Sequence, residues 1–305
     1  MQTDVVTGAF GYSGAVIARD LLAAGHGVRT LTGHPGRAPA GSPIEVRPMD
    51  FADPAALERD LSGAHTLYCT YWIRFARATA THDAAVANLK ALFDAAAGAG
   101  VQRIVHVSIT HADSASKYPY FRGKGQVEEY LATVGVPHAI VRPAILFGGD
   151  GVLLNNIAWL LRRLPVFAVG GDGTYRIRPI HVDDLARLCV SLGSGTDSGA
   201  GSVTVDAVGP ESVEFRDMVA AIRSAVGSRS LLVPAPGWLI PPLSSVLSAV
   251  LRDKLLTSEE YAAMAEGLAD STAPATGEVP VTEWIAKHGD SLGRTYANEL
   301  TRHYR

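Results

Sequence analysis

The sequence predicts an α/β protein with a doubly wound parallel sheet and a smaller, mostly helical C-terminal region. Short apolar runs alternate with helical patterns through the first half of the chain, as in successive β-α-β units. The run at 103–108 is almost continuously apolar, which is typical of a parallel strand covered on both faces. The 305 residues, 47% of them hydrophobic, suffice for one large domain or two coupled domains.

The individual elements follow from these patterns in chain order. We predict strands at 4–7, 28–32, 44–48, 66–70, 103–108 and 138–142, with helices at 12–24, 54–61, 79–99 and 117–134. The rhythm then changes, and we predict a helix at 152–164, short strands near 166–169 and 175–179, a helix from 181, a strand at 202–208 that returns to the main sheet, and a loop at 269–280. We therefore expect a first domain over 1–149, completed by 182–208, and a cap region formed by 150–181 and 209–305.

The charge balance excludes several classes of function. Lys and Arg number 27 against 30 Asp and Glu, so the net charge of −3 provides no basic field for nucleic acid. Cys69 and Cys189 form neither a disulfide framework nor a metal-ligand spacing, which favours a reducing cytoplasm and no metal site. The apolar stretch at 236–251 is interrupted by prolines and is too short to span a membrane. Its pattern favours a buried helix, and the alternative is a helix that lies on a membrane or a partner.

A glycine-rich turn follows the first predicted strand. Gly8, Gly11 and Gly14 stand between an apolar strand and a helix start, and Phe10 and Tyr12 lie between them. The first glycine allows a sharp turn, the second lets the backbone approach a pyrophosphate, and the third lets the helix pack close to the strand. The pyrophosphate then meets the N-terminus of the helix. The pattern predicts a Rossmann fold that binds NAD(P)(H), with all five residues as cofactor contacts.

The end of the second predicted strand bears on the choice of cofactor. NAD is usually held there by an acidic residue on the ribose 2′-hydroxyl, but no Asp or Glu occurs from 21 to 44. Thr32 takes the equivalent position, and His34 and Arg37 follow, so NADP(H) is favoured over NAD(H) because an arginine pairs with a 2′-phosphate. Asp50, after the third strand, is either a partner of the adenine edge or a helix cap. Further predicted cofactor contacts are Phe51, Cys69, Thr70, Lys124, Pro143, Ala144 and Ile145.

A tyrosine and a lysine follow the fifth predicted strand. Tyr120 and Lys124 are four residues apart and share one face of a helix. A nearby ammonium favours the phenolate form of the tyrosine, so the phenol can exchange a proton at a pH well below its reference pKa of about 10. Ser108 ends the fifth strand, where open α/β sheets bind their ligands, and Thr110 is its neighbour. Tyr120, Lys124 and Ser108 are the predicted catalytic residues.

Taken together, these motifs resemble the extended and atypical branch of the short-chain dehydrogenase/reductase superfamily, with its NmrA-like and epimerase-like members. The segments that carry the resemblance are 7–14, 49–53, Asn88 within 88–96, 105–108, Tyr120 with Lys124, and 142–148. The resemblance implies an NAD(P)-dependent oxidoreductase in which the tyrosine is the general acid or base, the lysine grips the nicotinamide ribose, and the serine orients the substrate carbonyl. Asn88 is implied either to support a proton relay or to be structural.

A narrower resemblance extends over nearly the whole chain. Segments 155–163, 171–176, 256–260 and 292–300 resemble bacterial relatives of the Rossmann-fold accessory subunit of respiratory complex I. Members of that group often hold the nucleotide structurally, so a non-catalytic NAD(P)H-binding scaffold or redox sensor is the alternative to the oxidoreductase. An epimerase or dehydratase is a third, weaker alternative.

The remaining predictions concern substrate and partners. A small, largely apolar substrate is expected, and the residues predicted to contact it are Tyr71, Thr110, Asn155, Trp159 and Arg176. For Trp159, the alternative to a substrate contact is packing in the core of the protein. The C-terminal helices are predicted to contact a membrane surface or a protein, and the chain is expected to be a monomer or a homodimer.

Overall fold

The computed structural model describes residues 2–195 and 201–304, which form two compact units. The first unit comprises the described residues of Met1–Pro143 and Val182–Ala207, and the second those of Ala144–His181 and Val208–Arg305. The chain enters the first unit through β1 Thr3–Thr7, α1 Tyr12–Ala23, β2 Gly27–Thr32, β3 Glu45–Pro48, α2 Pro54–Leu61, β4 Thr66–Cys69, α3 His82–Gly98, β5 Arg103–Val107, α4 Pro119–Leu131 and β6 His138–Pro143.

The chain then enters the second unit, returns once to the first and ends in the second. The chain continues through β7 Leu146–Phe147, α5 Val152–Leu161, β8 Val166–Gly170, β9 Arg176–Ile177 and β10 Ile180–His181 of the second unit. It returns to the first unit with α6 Val182–Ser194 and β11 Val203–Ala207. It ends in the second unit with β12 Val213–Glu214, α7 Phe215–Ala225, β13 Leu231–Ala235, α8 Ile240–Leu251, α9 Ser258–Ala265, α10 Val281–His288 and α11 Glu299–Tyr304.

The first unit is organised by a seven-stranded sheet in the order β11-β6-β5-β4-β1-β2-β3, and every pairing is parallel. From β1 the chain moves outward to β2 and β3, then returns to β4 on the other side of β1. This reversal creates a topological switch point between β1 and β4, where open α/β sheets bind ligands at the carboxyl ends of the strands. The predicted doubly wound α/β fold is confirmed.

Apolar side chains from the sheet and its helices form the core of the first unit. Leu67, Leu89, Phe93 and Ile104 are fully buried there. The strands are apolar on both faces because helices cover both, as the sequence pattern at 103–108 indicated. The second unit has its own core, built around Ile157, Met218 and Ile222 from its helices.

The apolar stretch at 236–251 differs from its prediction. It forms a short 3₁₀ helix followed by α8, but only Ile240 and Ser244 of α8 are buried. The expectation of a buried helix is therefore wrong, because most of the apolar side chains of α8 face away from the second unit. Across the described residues, no helix is both long enough and apolar enough to cross a membrane.

Candidate functional site

The turn between β1 and α1 requires glycine at three positions. Gly8 has a φ of 65°, in the left-handed region that side chains disfavour. A Cβ on Gly14 would lie 2.3 Å from the carbonyl oxygen of Gly8, and one on Gly11 would lie 3.2 Å from the same atom. Among the described residues, no side chain caps Gly11 and no acidic residue lies in the first turn of α1. The turn thus presents uncapped backbone N–H groups to an anion.

Two threonines that the sequence analysis did not select hold this turn against the sheet. The hydroxyl of Thr30 accepts a hydrogen bond from the backbone N–H of Ala9 at 3.1 Å and donates to the carbonyl of Val6 at 2.8 Å. The hydroxyl of Thr7 accepts from the backbone N–H of Thr70 at 2.8 Å, across the switch point. A threonine at the end of a buried strand is a weak sequence signal, since a β-branched residue is common there in any case.

The end of β2 presents the residues predicted to read the ribose. Thr32 is nearly buried, and its hydroxyl accepts a hydrogen bond from the backbone N–H of His34 at 3.1 Å. His34 and Arg37 are exposed, and Arg37 ends a 3₁₀ turn at Pro35–Arg37. Asp50 accepts from the N–H of Ala52, while Asp53 caps α2. The helix-cap alternative for Asp50 is therefore wrong.

The end of β4 contains two polar contacts and one buried thiol. Thr70 donates its hydroxyl hydrogen to the carbonyl of Thr7 at 2.6 Å, and Tyr71 accepts from the side-chain amide of Asn88 at 2.9 Å. This second contact gives Asn88 a structural partner within the first unit. Cys69 is fully buried, and burial raises the pKa of its thiol to about 11. Phe51 packs on Tyr71, with ring centroids 5.0 Å apart.

Lys124 is enclosed within the first unit. Only 2% of it is exposed, and its Nζ donates to the carbonyl oxygen of Val107 at 2.7 Å. The ring of Trp72 lies over the same nitrogen at 4.5 Å from its centroid, a cation–π arrangement. Burial lowers the pKa of Lys124 to about 7, because a desolvated ammonium is disfavoured. Lys124 therefore changes its charge close to neutral pH.

A carboxylate that the sequence analysis missed lies next to the predicted catalytic serine. Ser108, nearly buried, donates its hydroxyl hydrogen to Glu128, and Arg142 on β6 binds both oxygens of the same carboxylate through Nε at 3.0 and 3.1 Å. This hydrogen bond raises the pKa of Arg142. Glu128 follows Lys124 by four residues, so Tyr120, Lys124 and Glu128 are spaced along one face of α4. That spacing places Glu128 on the same helix face as the two predicted catalytic residues, but it carries no signal of the contacts with Ser108 and Arg142.

Tyr120 lies in an aromatic cluster. Its ring contacts Trp72 edge-on at 5.8 Å and His82 at 5.8 Å between centroids. A Cβ on Gly123 would lie 2.9 Å from the Trp72 ring, so the indole packs directly against the backbone of α4. The buried Nε1 of Trp72 has no hydrogen-bond partner within the part of the chain that the structure describes. This cluster therefore contains an unused donor beside Tyr120 and Lys124.

His106 of β5 is a second buried group without a partner. It is fully buried against Phe93, with ring centroids 5.5 Å apart. Neither of its ring nitrogens has a hydrogen-bond partner among the described residues. Burial, with nearby Lys124 and His138, lowers the pKa of His106 well below its ordinary value. His106 is therefore a neutral side chain of the core.

The other predicted residues have separate environments. Thr110 is fully buried in the first unit, and its backbone N–H donates to the carbonyl of Pro143, the last residue of β6, at 3.0 Å. Ala144 and Ile145 open the second unit. Of the predicted catalytic residues, Ser108 directly follows β5, and Tyr120 and Lys124 lie on α4.

Within the second unit, the predicted substrate residues have protein partners. The amide of Asn155 donates to the carbonyl of Thr295 at 2.9 Å and accepts from the N–H of Gly293 at 3.0 Å. The Trp159 ring packs on Tyr296 with ring centroids 5.2 Å apart, and Arg176 binds the side chain and carbonyl of Ser212. These contacts hold the C-terminal segment and a loop in place.

Comparison with known proteins agrees with this geometry. The sequence profile of the NAD(P)H-binding family matches residues 8–158, from the glycine turn into α5. Over 178 residues the chain is 24% identical to the 40 kDa subunit of the mitochondrial NADH-ubiquinone oxidoreductase of Neurospora crassa. That alignment covers 58% of this chain and 46% of the subunit, so the chain spans about half the length of that relative.

Two further proteins are similar over most of the chain. Over 228 residues it is 27% identical to the (4-alkanoyl-5-oxo-2,5-dihydrofuran-3-yl)methyl phosphate reductase of Streptomyces griseus, with 73% of each protein covered. The fold superimposes on the NADP(H) complex of Citrobacter sp. triphenylmethane reductase with a TM-score of 0.74 at 18% identity, over 95% of this chain and 100% of that one. The glycine turn, the parallel sheet and the family match together show that residues 8–158 of this chain form an NAD(P)H-binding domain with a Rossmann-like fold.

Proposed function

We propose that this protein is an NAD(P)H-dependent oxidoreductase of the short-chain dehydrogenase/reductase type. Its reaction is hydride transfer to or from the carbonyl or hydroxyl carbon of a small, largely apolar substrate. The observation that carries the proposal is the grouping of Ser108, Tyr120 and Lys124 at the end of β5 and on α4, next to the switch point. The reductase from Streptomyces griseus, similar over 73% of this chain, supports the same class of reaction.

The residues of the first unit fit a dinucleotide. The tight turn at Gly8, Gly11 and Gly14 leads into a helix N-terminus without a side-chain cap, which suits a pyrophosphate. Arg37, exposed and cationic, is suited to a 2′-phosphate, and no carboxylate from 21 to 44 would repel it, so we favour NADP(H) over NAD(H). The indole N–H of Trp72 is a donor for a ligand oxygen near Tyr120.

The chemistry follows from three side chains. Bound NAD(P)H supplies a hydride, which the protein only has to position. The Tyr120 phenol gives a proton to the substrate oxygen during reduction and takes one back during oxidation. Lys124, with its pKa lowered to about 7, sets how readily that phenol releases its proton, because a neighbouring ammonium favours the phenolate.

In this scheme Ser108 does not donate a hydrogen bond to the substrate carbonyl. An ionised carboxylate only accepts hydrogen bonds, so the Ser108 hydroxyl gives its single hydrogen to Glu128. Its oxygen is then left with lone pairs for the substrate. Ser108 therefore accepts a hydrogen bond from a substrate hydroxyl, and the Tyr120 phenol is the group that donates to a substrate carbonyl.

A direct test compares the parent protein with Tyr120→Phe. Both should bind NADPH with the same Kd in a fluorescence titration, and only the parent should oxidise NADPH in the presence of carbonyl or quinone compounds. Retained turnover by Tyr120→Phe would remove Tyr120 from the proton-transfer step. Failure of the parent to bind either NADPH or NADH would overturn the proposal altogether.

A second candidate is an NAD(P)H-binding scaffold or redox sensor without turnover. The Lys124 Nζ is already committed to the carbonyl of Val107 and covered by Trp72, which favours a structural role for the lysine. The relative from the Neurospora crassa NADH-ubiquinone oxidoreductase is a subunit of a larger assembly by its name. Tight NADPH binding by the parent without turnover on any substrate of the panel would favour this candidate. The cytoplasmic location and the monomeric or homodimeric state stay predictions.

A further inference from the structure

The second unit exposes a set of large hydrophobic side chains. Among the described residues, those that are most exposed fall on β8, β13, the 3₁₀ turn Gly237–Leu239 and α8. We call this set the apolar surface, and its members are Val166, Leu231, Val233, Trp238, Leu243, Val246 and Val250. Trp238 is 73% exposed and Val250 is 74% exposed. Large apolar side chains exposed together on neighbouring elements indicate an interaction site.

The members of the apolar surface are held together by the fold of the second unit. Val166 and Leu231 are register partners in the parallel pair of β8 and β13, and Val233 pairs with Ala168 in the same ladder. The helix α8 follows β13 after the 3₁₀ turn and packs on β8. The surface is therefore presented by a fixed scaffold.

The helix α8 exposes its apolar face and turns its polar face toward the protein. Leu243, Val246 and Val250 follow the spacing of one helical face, and that face is exposed. The opposite face carries serines that bond to the protein: Ser244 donates to the carbonyl of Leu256 at 2.8 Å, and Ser248 accepts from the N–H of Leu255 at 3.2 Å. A helix selected to face water would place these serines outward and the leucine and valines inward.

The exposed serine of α8 also indicates what kind of partner covers the apolar surface. Ser245 lies on the outer side, and its hydroxyl donates to the carbonyl of Pro241 in its own helix at 2.8 Å. In hydrocarbon every polar group has to be satisfied within the protein, whereas a protein partner can supply bonds of its own. This internal bond therefore favours a lipid environment over a polar protein surface.

Charge supplies the second argument. Residues 230–251 include no charged side chain, and the stretch begins after Arg229 and ends before Arg252 and Lys254, all three exposed. The acidic residue between the last two, Asp253, is buried and accepts from Tyr296 at 2.6 Å. The exposed charges that directly flank this stretch of the chain, which we call the rim, are therefore positive and complement anionic lipid headgroups. A tryptophan at the edge of such a helix is typical of the membrane interface.

From the exposed apolar face of α8, the satisfied Ser245 and the positive rim, we propose that the apolar surface binds the interface of an anionic lipid bilayer. The helix α8 lies in the plane of the interface, with Trp238, Leu243, Val246 and Val250 among the acyl chains and Arg252 and Lys254 at the headgroups. The chain rests on the membrane through this one surface and does not cross it. The inference is independent of whether Tyr120 supports turnover.

The test measures binding of the full chain to vesicles. Flotation with phosphatidylcholine vesicles that contain 30% phosphatidylglycerol should recover the parent protein in the lipid fraction. Pure phosphatidylcholine should recover much less, because each positive charge at the rim contributes about fivefold to binding. The double variant Val246→Asp and Val250→Asp should lose at least tenfold in lipid partition, and Arg252→Gln with Lys254→Gln should lose about 25-fold on the anionic vesicles alone.

Controls separate the surface from the fold. Ala55→Asp adds one negative charge at an exposed position of α2 in the first unit, and it should partition like the parent. NADPH binding should be unchanged in every variant, which reports that the first unit is folded. The proposal is overturned if the parent stays out of the lipid fraction with both vesicles, or if Val246→Asp with Val250→Asp partitions like the parent. Concentration-dependent dimerisation that this double variant abolishes, without vesicle binding, would assign the surface to a second copy of the chain.

Discussion

Ser108 gives its hydroxyl hydrogen to Glu128, which lies one helical turn beyond Lys124 and is also bound by Arg142. This contact joins the end of β5, the helix α4 and the strand β6 through one carboxylate. An ionised carboxylate between a hydroxyl and a guanidinium is a charge-assisted acceptor, so it fixes the direction of the serine hydrogen.

We predict that Glu128→Gln lowers turnover at least tenfold and leaves the Kd for NADPH within threefold. The amide can no longer neutralise Arg142 or hold the Ser108 hydrogen by charge, and the free energy of unfolding should fall by about 1–3 kcal/mol. Steady-state kinetics, NADPH titration and urea unfolding measure the three effects. The adjacent Glu129→Gln is the matched control, since Glu129 is exposed and contacts Ser114 on the surface. Equal kinetics for the two variants would contradict this assignment.

Lys124 should make stability depend on pH. Its pKa is about 7 in the folded protein, against about 10.4 for lysine in an unfolded chain. The unfolded chain therefore binds more protons between these values, and the free energy of unfolding rises with pH in that interval. From pH 6.5 to 8.5 we expect a gain of about 2 kcal/mol from this group alone.

Lys124→Met is the variant that isolates this effect. Urea unfolding at several pH values should show the slope in the parent and its loss in the variant. Lys287→Met, which removes an exposed lysine of α10, should keep the slope. If the parent and Lys124→Met have parallel stability profiles, Lys124 is charged in the folded protein throughout this range.

The glycine turn should be intolerant of a methyl group at Gly14. A Cβ there would come within 2.3 Å of the carbonyl oxygen of Gly8, so α1 must move away from the turn. We expect Gly14→Ala to weaken NADPH binding more than 100-fold by isothermal titration. Gly11→Ala, with its Cβ at 3.2 Å, should give a smaller loss and a well-folded protein. Gly201→Ala, whose Cβ meets nothing within 4 Å, is the control that should bind normally.

Arg37 should distinguish the two dinucleotides. Its loss removes one charge-assisted hydrogen bond to a 2′-phosphate, so Arg37→Ala should weaken NADPH binding about tenfold and leave NADH binding unchanged. Arg59→Ala removes the same charge from an exposed position of α2 and should change neither Kd. Equal losses for NADPH and NADH in Arg37→Ala would mean that Arg37 does not read the 2′-phosphate.

Local sequence was sufficient for the nucleotide-binding half of the fold. Each of the features that predicted it depends on residues close together in the chain: the strand at 103–108, the turn at Gly8, and the spacing of Tyr120 and Lys124. Such patterns can be recognised without tertiary information. Some boundaries shifted by a few residues, as at the start of α3, where the helix begins after its cap Thr81 and not at the predicted residue 79.

Contacts between distant segments were out of reach of such patterns. Glu128 contacts Ser108 and Arg142 only because β5 and β6 are neighbours in the sheet. From sequence alone, a glutamate on a helix is expected to be solvated. An asparagine amide is a typical ligand-binding group, which is why Asn155 is predicted to contact substrate. In the structure its amide is hydrogen-bonded to Gly293 and Thr295, which lie far along the chain.

The sequence by itself determined the strand, turn and helix start at Gly8, Gly11 and Gly14, a turn typical of dinucleotide-binding proteins, since these features are fixed by backbone sterics within a few residues. Only the tertiary structure decided which way α8 faces. An apolar helix satisfies its own backbone hydrogen bonds whether it is buried or exposed, so its pattern leaves both states open. The decision came from Ser244 and Ser248, whose bonds to Leu256 and Leu255 turn the valines of α8 outward.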